Sequence, residues 1–249
     1  MKAAVGIVGY KKSGKTTLTL LLAKKLQQKG YSVSIIKHSS KSTNNDNTDT
    51  GKFADIVPEV VLVTPENINI IIKEKRKLKD IINSMTTDYV LIEGFKKLKF
   101  YPKIACLREE DHMNELDDGL LLCSASMDDS LVKNKTADYS ILNEEDLEKI
   151  VDEVENKSFI LPEINCGKCG YKNCYELAKA IIKENETQKK CVFYNSDISI
   201  SINGKNIPFN PFMSELYKNM IYSMFSPLKE IDILENAHIE IKMGSKKST

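Results

Sequence analysis

The sequence predicts an α/β fold, a mostly parallel sheet flanked by helices, followed by a smaller α+β part. Three observations carry that expectation. Short apolar runs alternate with amphipathic stretches up to residue 155, the pattern of parallel strands returning through helices. The first apolar run feeds a glycine-rich loop, GYKKSGKT at Gly9–Thr16, that opens a helical stretch. The pattern then changes at Asn156–Asn165, where Pro162 stands just before clustered cysteines. Two domains are therefore expected, over residues 1–156 and 157–249.

Each element has its own reason. Ala3–Val8 is short and apolar, as a strand buried on both faces must be. Thr16–Lys29 carries Leu18, Leu21, Leu22 and Leu26 at helical spacing, and Gly30 stops it. Ser32–Lys37 reads as a second strand. Ser39–Thr50 has no apolar residue to bury and reads as a mobile loop. Val60–Val63 and Ile68–Ile72 are strand-like around a turn at Pro65–Asn67, and Lys73–Met85 reads as a charged helix. Tyr89–Ile92 is a buried strand ending at Glu93-Gly94; Lys103–Leu107 and Leu120–Ser124 are further strands, and Glu144–Glu155 an amphipathic helix. In the second part Tyr175–Glu186 and Phe212–Phe225 read as helices and His238–Met243 as a strand. Asn203-Gly204 inside Ser199–Phe209 is a hairpin signal, because both residues tolerate positive φ.

Composition narrows the function classes. At 249 residues and 41% hydrophobic, the chain has enough apolar material for a sizeable core. A net charge of +1, spread along the chain, implies neither a nucleic-acid nor a membrane partner. No apolar run approaches the roughly 20 residues that span a bilayer, and the first residues lack a signal-peptide layout. A cytoplasmic, reducing setting is expected, where clustered cysteines serve metals more often than disulfides.

The glycine-rich loop is a phosphate-binding loop. Its backbone N–H groups and the following helix N-terminus favour an anion at one point. Gly9, Lys12, Ser13, Gly14, Lys15, Thr16 and Thr17 are the candidate nucleotide-binding residues. Lys15 would reach the β- and γ-phosphates and the Thr16 hydroxyl would ligate Mg²⁺. Glu93, at the C-terminal end of a buried strand, is the candidate second Mg²⁺ residue and catalytic carboxylate. Asn134-Lys135-Thr136-Ala137-Asp138 imitates a guanine-reading Asn-Lys-x-Asp element but carries one residue too many, and reads as a coincidence.

These residues, with IIKH at Ile35–His38, Asp49-Thr50, LIEGFK at Leu91–Lys96 and KIACLR at Lys103–Arg108, resemble the MobB family. That family comprises GTP-binding accessory proteins of molybdopterin guanine dinucleotide biosynthesis. The resemblance covers residues 1–155. It implies a P-loop NTPase fold, GTP with Mg²⁺ and a homodimer. It also implies partnership with the molybdopterin guanylyltransferase and an apo-molybdoenzyme or tungstoenzyme. It places Asp49 and Thr50 on a loop facing the nucleotide, making Asp49 a second candidate catalytic carboxylate beside Glu93. A second histidine usual in the family after the position of His38 has no counterpart in Ser39–Lys41.

Cys166, Cys169 and Cys174 crowd three thiols into nine residues, and Cys191 follows one helix later. Four thiolates suit a [4Fe–4S] cluster or tetrahedral Zn²⁺. A compact CxxCx₄C joined to one distant cysteine favours the cluster, since structural zinc sites tend to use two CxxC knuckles. The segment also resembles a small iron–sulfur domain written C-G-x-C-G-x-x-x-C with a helix and a final cysteine. Cys106 and Cys123 lie inside apolar strands and read as small hydrophobes.

Together these features indicate a GTP-binding accessory protein that would couple GTP binding or slow hydrolysis to formation or delivery of a molybdenum or tungsten pterin cofactor. Its cluster-binding tail would serve redox sensing, electron transfer or docking. Two alternatives are a metallochaperone-type NTPase for an iron–sulfur or corrinoid enzyme, and a nucleotide-dependent binding module without turnover.

Overall fold

The computed structural model describes residues 2–39, 49–74, 76–194, 198, 200–202, 205–207 and 211–227. Packing divides the chain into two compact units, Met1–Gln188 and Lys189–Thr249.

The first unit begins with β1 (Ala3–Gly9), α1 (Lys15–Gln28) and β2 (Val33–Lys37), then α2 (Asp49–Ile56). A hairpin of β3 (Glu59–Val63) and β4 (Ile68–Ile72) follows, then α3 (Leu78–Ser84) and β5 (Tyr89–Glu93). Next come β6 (Lys103–Leu107), α4 (His112–Leu116), β7 (Leu121–Ser126) and α5 (Asp129–Lys133). It closes with β8 (Tyr139–Ser140), α6 (Glu144–Lys157) and α7 (Cys174–Ile182). Six strands form one parallel sheet in the order β2-β5-β1-β6-β7-β8.

Every residue of β5 and β6 is buried, which is why both read as unbroken strand-length segments rather than alternating ones. In β1 the pleat sends Val5 and Ile7 into one apolar cluster and Val8 into the other. The larger cluster packs Leu18, Leu22 and Leu26 of α1 and Ile150, Val151 and Val154 of α6 against the sheet. On the other side Leu116 of α4 and Leu131 of α5 meet Ala105 and Leu107. The α1 and α6 surfaces are cross-linked by Lys25 to Glu144 and Glu148, and by Lys29 to Asp152 and Glu155. Asn143 caps α6, its side chain accepting from the Asp146 N–H.

Several elements depart from the sequence reading. The helix expected over Lys73–Met85 begins only at Leu78, because its first five positions are Lys or Arg and Glu, with no apolar side chain to bury. Residues 40–48 of the expected mobile loop lie outside the described residues, and Asp49 and Thr50 open α2 rather than close a loop. The short helices α4 and α5 have no counterpart in the sequence reading. The packing boundary falls after Gln188 because Phe159, Ile160 and Leu161 are buried and the Leu161 N–H donates to Phe100 O at 2.7 Å.

Within the second unit β9 (Ile200–Ile202) and β10 (Lys205–Ile207) pair antiparallel, as the Asn203-Gly204 signal predicts, with that turn itself outside the described residues. The unit also holds α8 (Pro211–Phe225). The strand expected at His238–Met243 lies outside the described residues. Among those described, no helix is long and apolar enough to cross a membrane.

Candidate functional site

β1 sits in the middle of the parallel sheet, so the loop that leaves its C-terminal end lies where α/β folds bind ligands. That loop is shaped for close approach. A Cβ at Gly9 would collide with Ser13 Oγ and Cys106 O, and one at Gly14 (φ 88°) would meet the Met127 side chain at 2.7 Å. Gly14 is the N-cap of α1 with no side-chain cap, which leaves the first helical N–H groups available to an anion. Lys12 is left-handed at φ 62°. Ser13 is buried, and its hydroxyl has no hydrogen-bond partner among the described residues. Lys15 Nζ donates to Tyr10 O within the loop. Thr17 follows in the first turn of α1.

The second half of the site arrives on the neighbouring strand. β5 runs parallel to β1 and delivers Glu93, only 8% exposed, to the start of α1. The Thr16 hydroxyl lies 3.1 Å from each Glu93 carboxylate oxygen and donates to them. Lys37, the register partner of Glu93 on β2, places Nζ 3.3 Å from the same carboxylate. A hydroxyl and a carboxylate are hard oxygen donors of the kind Mg²⁺ takes, so these residues fit the cation that the loop motif implies.

Asp49 is placed differently. It stands at the exposed start of α2 and pairs with Lys52 at 3.4 Å. The structure brings Glu93, and not Asp49, into contact with the phosphate loop. His38 ends the β2 side of the site: its N–H donates to Glu93 O at 2.9 Å, and its ring lies 4.3 Å from that of Phe95. Asp138 has a structural task, accepting from both the N–H and hydroxyl of Ser124 on β7, which fits the reading of the Asn134–Asp138 stretch as a coincidence.

Sequence reasoning missed Lys37, Tyr10, Lys96 and His112. Lys37 was legible once β2 is paired in parallel with β5. Lys96 Nζ lies 3.3 Å from the Tyr10 ring centroid, and the His112 ring stacks 4.3 Å from it. Those contacts depend on tertiary folding, for which spacing carries no signal.

The cysteine-rich segment follows Leu161. Gly167 (φ 68°) and Gly170 (φ 88°) take left-handed conformations, as do Glu163 and Asn165. Asn165 Oδ1 accepts the Cys174 N–H, and Asn173 caps α7. Burial pushes the Cys174 thiol up, and the neighbouring Cys166 and Cys169 charges push it further. N–H groups of Asn165 and Ile164 donating to its sulfur oppose them. Backbone N–H donation to sulfur is what ligands of iron–sulfur clusters receive. No disulfide links the six cysteines. Cys191 belongs to the second unit. Thiols and backbone donors of this kind suit an iron–sulfur cluster, though among the described residues no three His, Cys, Asp or Glu side chains are gathered closely enough to hold a metal ion. Cys106 and Cys123 are buried in the sheet, as expected of core residues, and burial pushes the Cys106 thiol up to about 12.

Residues 4–126 match the family described as "Molybdopterin guanine dinucleotide synthesis protein B", MobB. Residues 161–193, which include Cys166, Cys169, Cys174 and Cys191, match the family described as "Putative Fe-S cluster". A "Putative molybdopterin-guanine dinucleotide biosynthesis adapter protein" of Methanocaldococcus jannaschii is 29% identical over 253 residues, spanning 98% of this chain and 99% of the relative. A molybdopterin-guanine dinucleotide biosynthesis adapter protein of Haemophilus influenzae is 28% identical over 162 residues, spanning 61% and 87%. The crystal structure of Bacillus subtilis MobB superposes with a TM-score of 0.51 at 19% identity, covering 62% of this chain and 99% of that one, a likeness of fold.

Proposed function

The chain joins a MobB-family domain to a domain of the iron–sulfur type, and on that premise we propose that it is a GTP-binding adapter of molybdopterin guanine dinucleotide biosynthesis. The observation that carries the nucleotide half is the meeting of Thr16 with Glu93 at the head of α1. Gly9–Gly14 would wrap the phosphates, Lys15 would leave the Tyr10 carbonyl for a phosphate oxygen, and the uncapped α1 N-terminus would add its N–H groups. Thr16 and Glu93 would hold Mg²⁺, which when bound neutralises phosphate charge. Lys37 would then be displaced from Glu93, and the carboxylate would orient an attacking water for slow hydrolysis. Choice of guanine rests on family membership, since the loop and carboxylate act on phosphates common to all nucleotides.

Cys166, Cys169, Cys174 and Cys191 would hold a [4Fe–4S] cluster, which supplies one-electron chemistry when bound. The cluster part would sense redox state, pass electrons or dock on a molybdenum or tungsten enzyme. The guanylyltransferase that builds the dinucleotide would be the other partner. Asp49 keeps a place only as a residue that a nucleotide-driven movement of α2 would bring in.

Titration with a labelled, non-hydrolysable GTP analogue tests the nucleotide half. Lys15→Ala should weaken binding by about tenfold to a hundredfold, the loss of a charge-assisted contact of about 1.5–3 kcal/mol. Unchanged affinity, or ATP bound as tightly as GTP, would overturn the GTP adapter reading.

A further inference from the structure

β5 ends at Glu93, and the chain then turns through two positive-φ residues, Gly94 at 103° and Phe95 at 52°. A Cβ at Gly94 would stand 2.9 Å from the His38 Cβ, so the turn is pressed against the end of β2. Lys96 follows directly, and the turn delivers its side chain to the mouth of the phosphate loop. Its ammonium lies over the Tyr10 ring, 3.3 Å from the centroid.

Tyr10 thereby meets two cations. Lys15 Nζ is on its carbonyl and Lys96 Nζ on its ring. Desolvation and the Lys15 charge both lower the Lys96 pKa, so the two ammonium groups feel each other. No carboxylate forms an ion pair with either Lys15 or Lys96 among the described residues. Two like charges held together without a counter-ion are costly alone and become favourable when an anion joins them.

The backbone that carries Lys96 is fixed from below. Lys103, fully buried on β6, donates to Lys96 O at 2.8 Å and pairs with Asp118. Tyr175 of α7 donates its hydroxyl to Asp118 O. A buried lysine spent on a main-chain carbonyl holds the turn in one place, and the Lys96 ammonium contacts a ring face rather than a carboxylate.

We propose that Lys96 is a second phosphate-binding cation of the nucleotide site, taking the outermost phosphoryl group of a nucleoside triphosphate opposite Lys15. This rests on the nucleotide reading above and deepens it. The stack on Tyr10 is the resting position of the ammonium. Triphosphate draws it inward, and diphosphate, ending one phosphoryl group short, leaves it on the ring.

The experiment compares a non-hydrolysable GTP analogue and GDP on wild-type protein, Lys96→Gln, Lys96→Arg and Lys15→Ala. Lys96→Gln should lose about tenfold in triphosphate affinity while GDP affinity stays within about twofold. Lys96→Arg should recover most of that loss, because the charge returns, which separates a phosphate contact from a defect in folding. Unchanged triphosphate affinity in Lys96→Gln, beside a loss in Lys15→Ala, would overturn the assignment of Lys96 and leave nucleotide binding standing. Equal losses for both nucleotides would overturn the outermost-phosphate assignment. Wild-type protein that binds neither nucleotide would overturn this inference together with the reading it rests on.

Discussion

At the scale of single residues, chemistry is decided by how burial treats each polar group. The same residue type behaves in two ways along this chain. Cys106 and Cys123 lie in the sheet, where removal from water disfavours the thiolate. Cys166 is exposed and Cys169 half-buried on a glycine-containing loop. Alkylation proceeds through the thiolate, so a raised pKa slows it and exposure speeds it. In cluster-free protein near neutral pH, iodoacetamide should label Cys166 and Cys169 while sparing Cys106 and Cys123; peptide mass mapping reads the result. Rapid labelling of Cys106 would contradict its place in the core. Residue types alone marked the loop lysine, the Thr16–Glu93 pair and the cysteine cluster, because each sits in a local pattern whose geometry follows from spacing. Lys37, Tyr10 and Lys96 join the site only through a strand register and a turn, which no short pattern encodes.

Elements were legible where a long apolar period or a buried strand dominates. β1, β5 and β6 are fully or nearly fully buried, and α1 and α6 carry heptad-scale apolar faces, so their patterns had one solution. α4 and α5 have five residues each and bury one leucine apiece, too little for a period to emerge. Asp128, whose side chain accepts from the Ser130 N–H, is the capping residue that marks the start of α5. The β3–β4 hairpin shows the reverse problem: its strands are correct, but one face is apolar and uncovered. Val61 pairs with Ile70 and Val63 with Ile68, and these four are 51%, 58%, 69% and 63% exposed. Adjacent apolar side chains on one hairpin face favour association. The homodimer that the MobB resemblance implies would use this face. Val63→Lys with Ile68→Lys should shift the mass measured by light scattering from two chains to one. A wild-type protein that is monomeric at high concentration would contradict this.

At the scale of the whole molecule, two sequence motifs share one chain, and the first three cysteines lie in the same compact unit as the phosphate loop. Phe159–Leu161 is buried in the first unit, and the hydroxyl of Tyr175 donates to Asp118 O, so the stretch that carries Cys166, Cys169 and Cys174 is tied at both ends to the body of that unit. The sequence marks a change of character near residue 156, while compactness continues to Gln188, because three apolar residues beyond that point fill the core. A nucleotide domain built on its own strands should still bind GTP when a cluster ligand is lost. Cys174→Ser should therefore lose iron and show a less stable cysteine segment by amide exchange, since ligand binding and local folding are coupled in small metal domains. Its GTP affinity should match that of the wild type. Loss of both together would show that the nucleotide site depends on the cysteine segment. The most direct measurement is iron, sulfide, zinc and guanine nucleotide content on one anaerobically purified sample. The adapter account predicts brown protein with about four irons per chain that also binds GTP. Colourless protein holding one tightly bound zinc would contradict it.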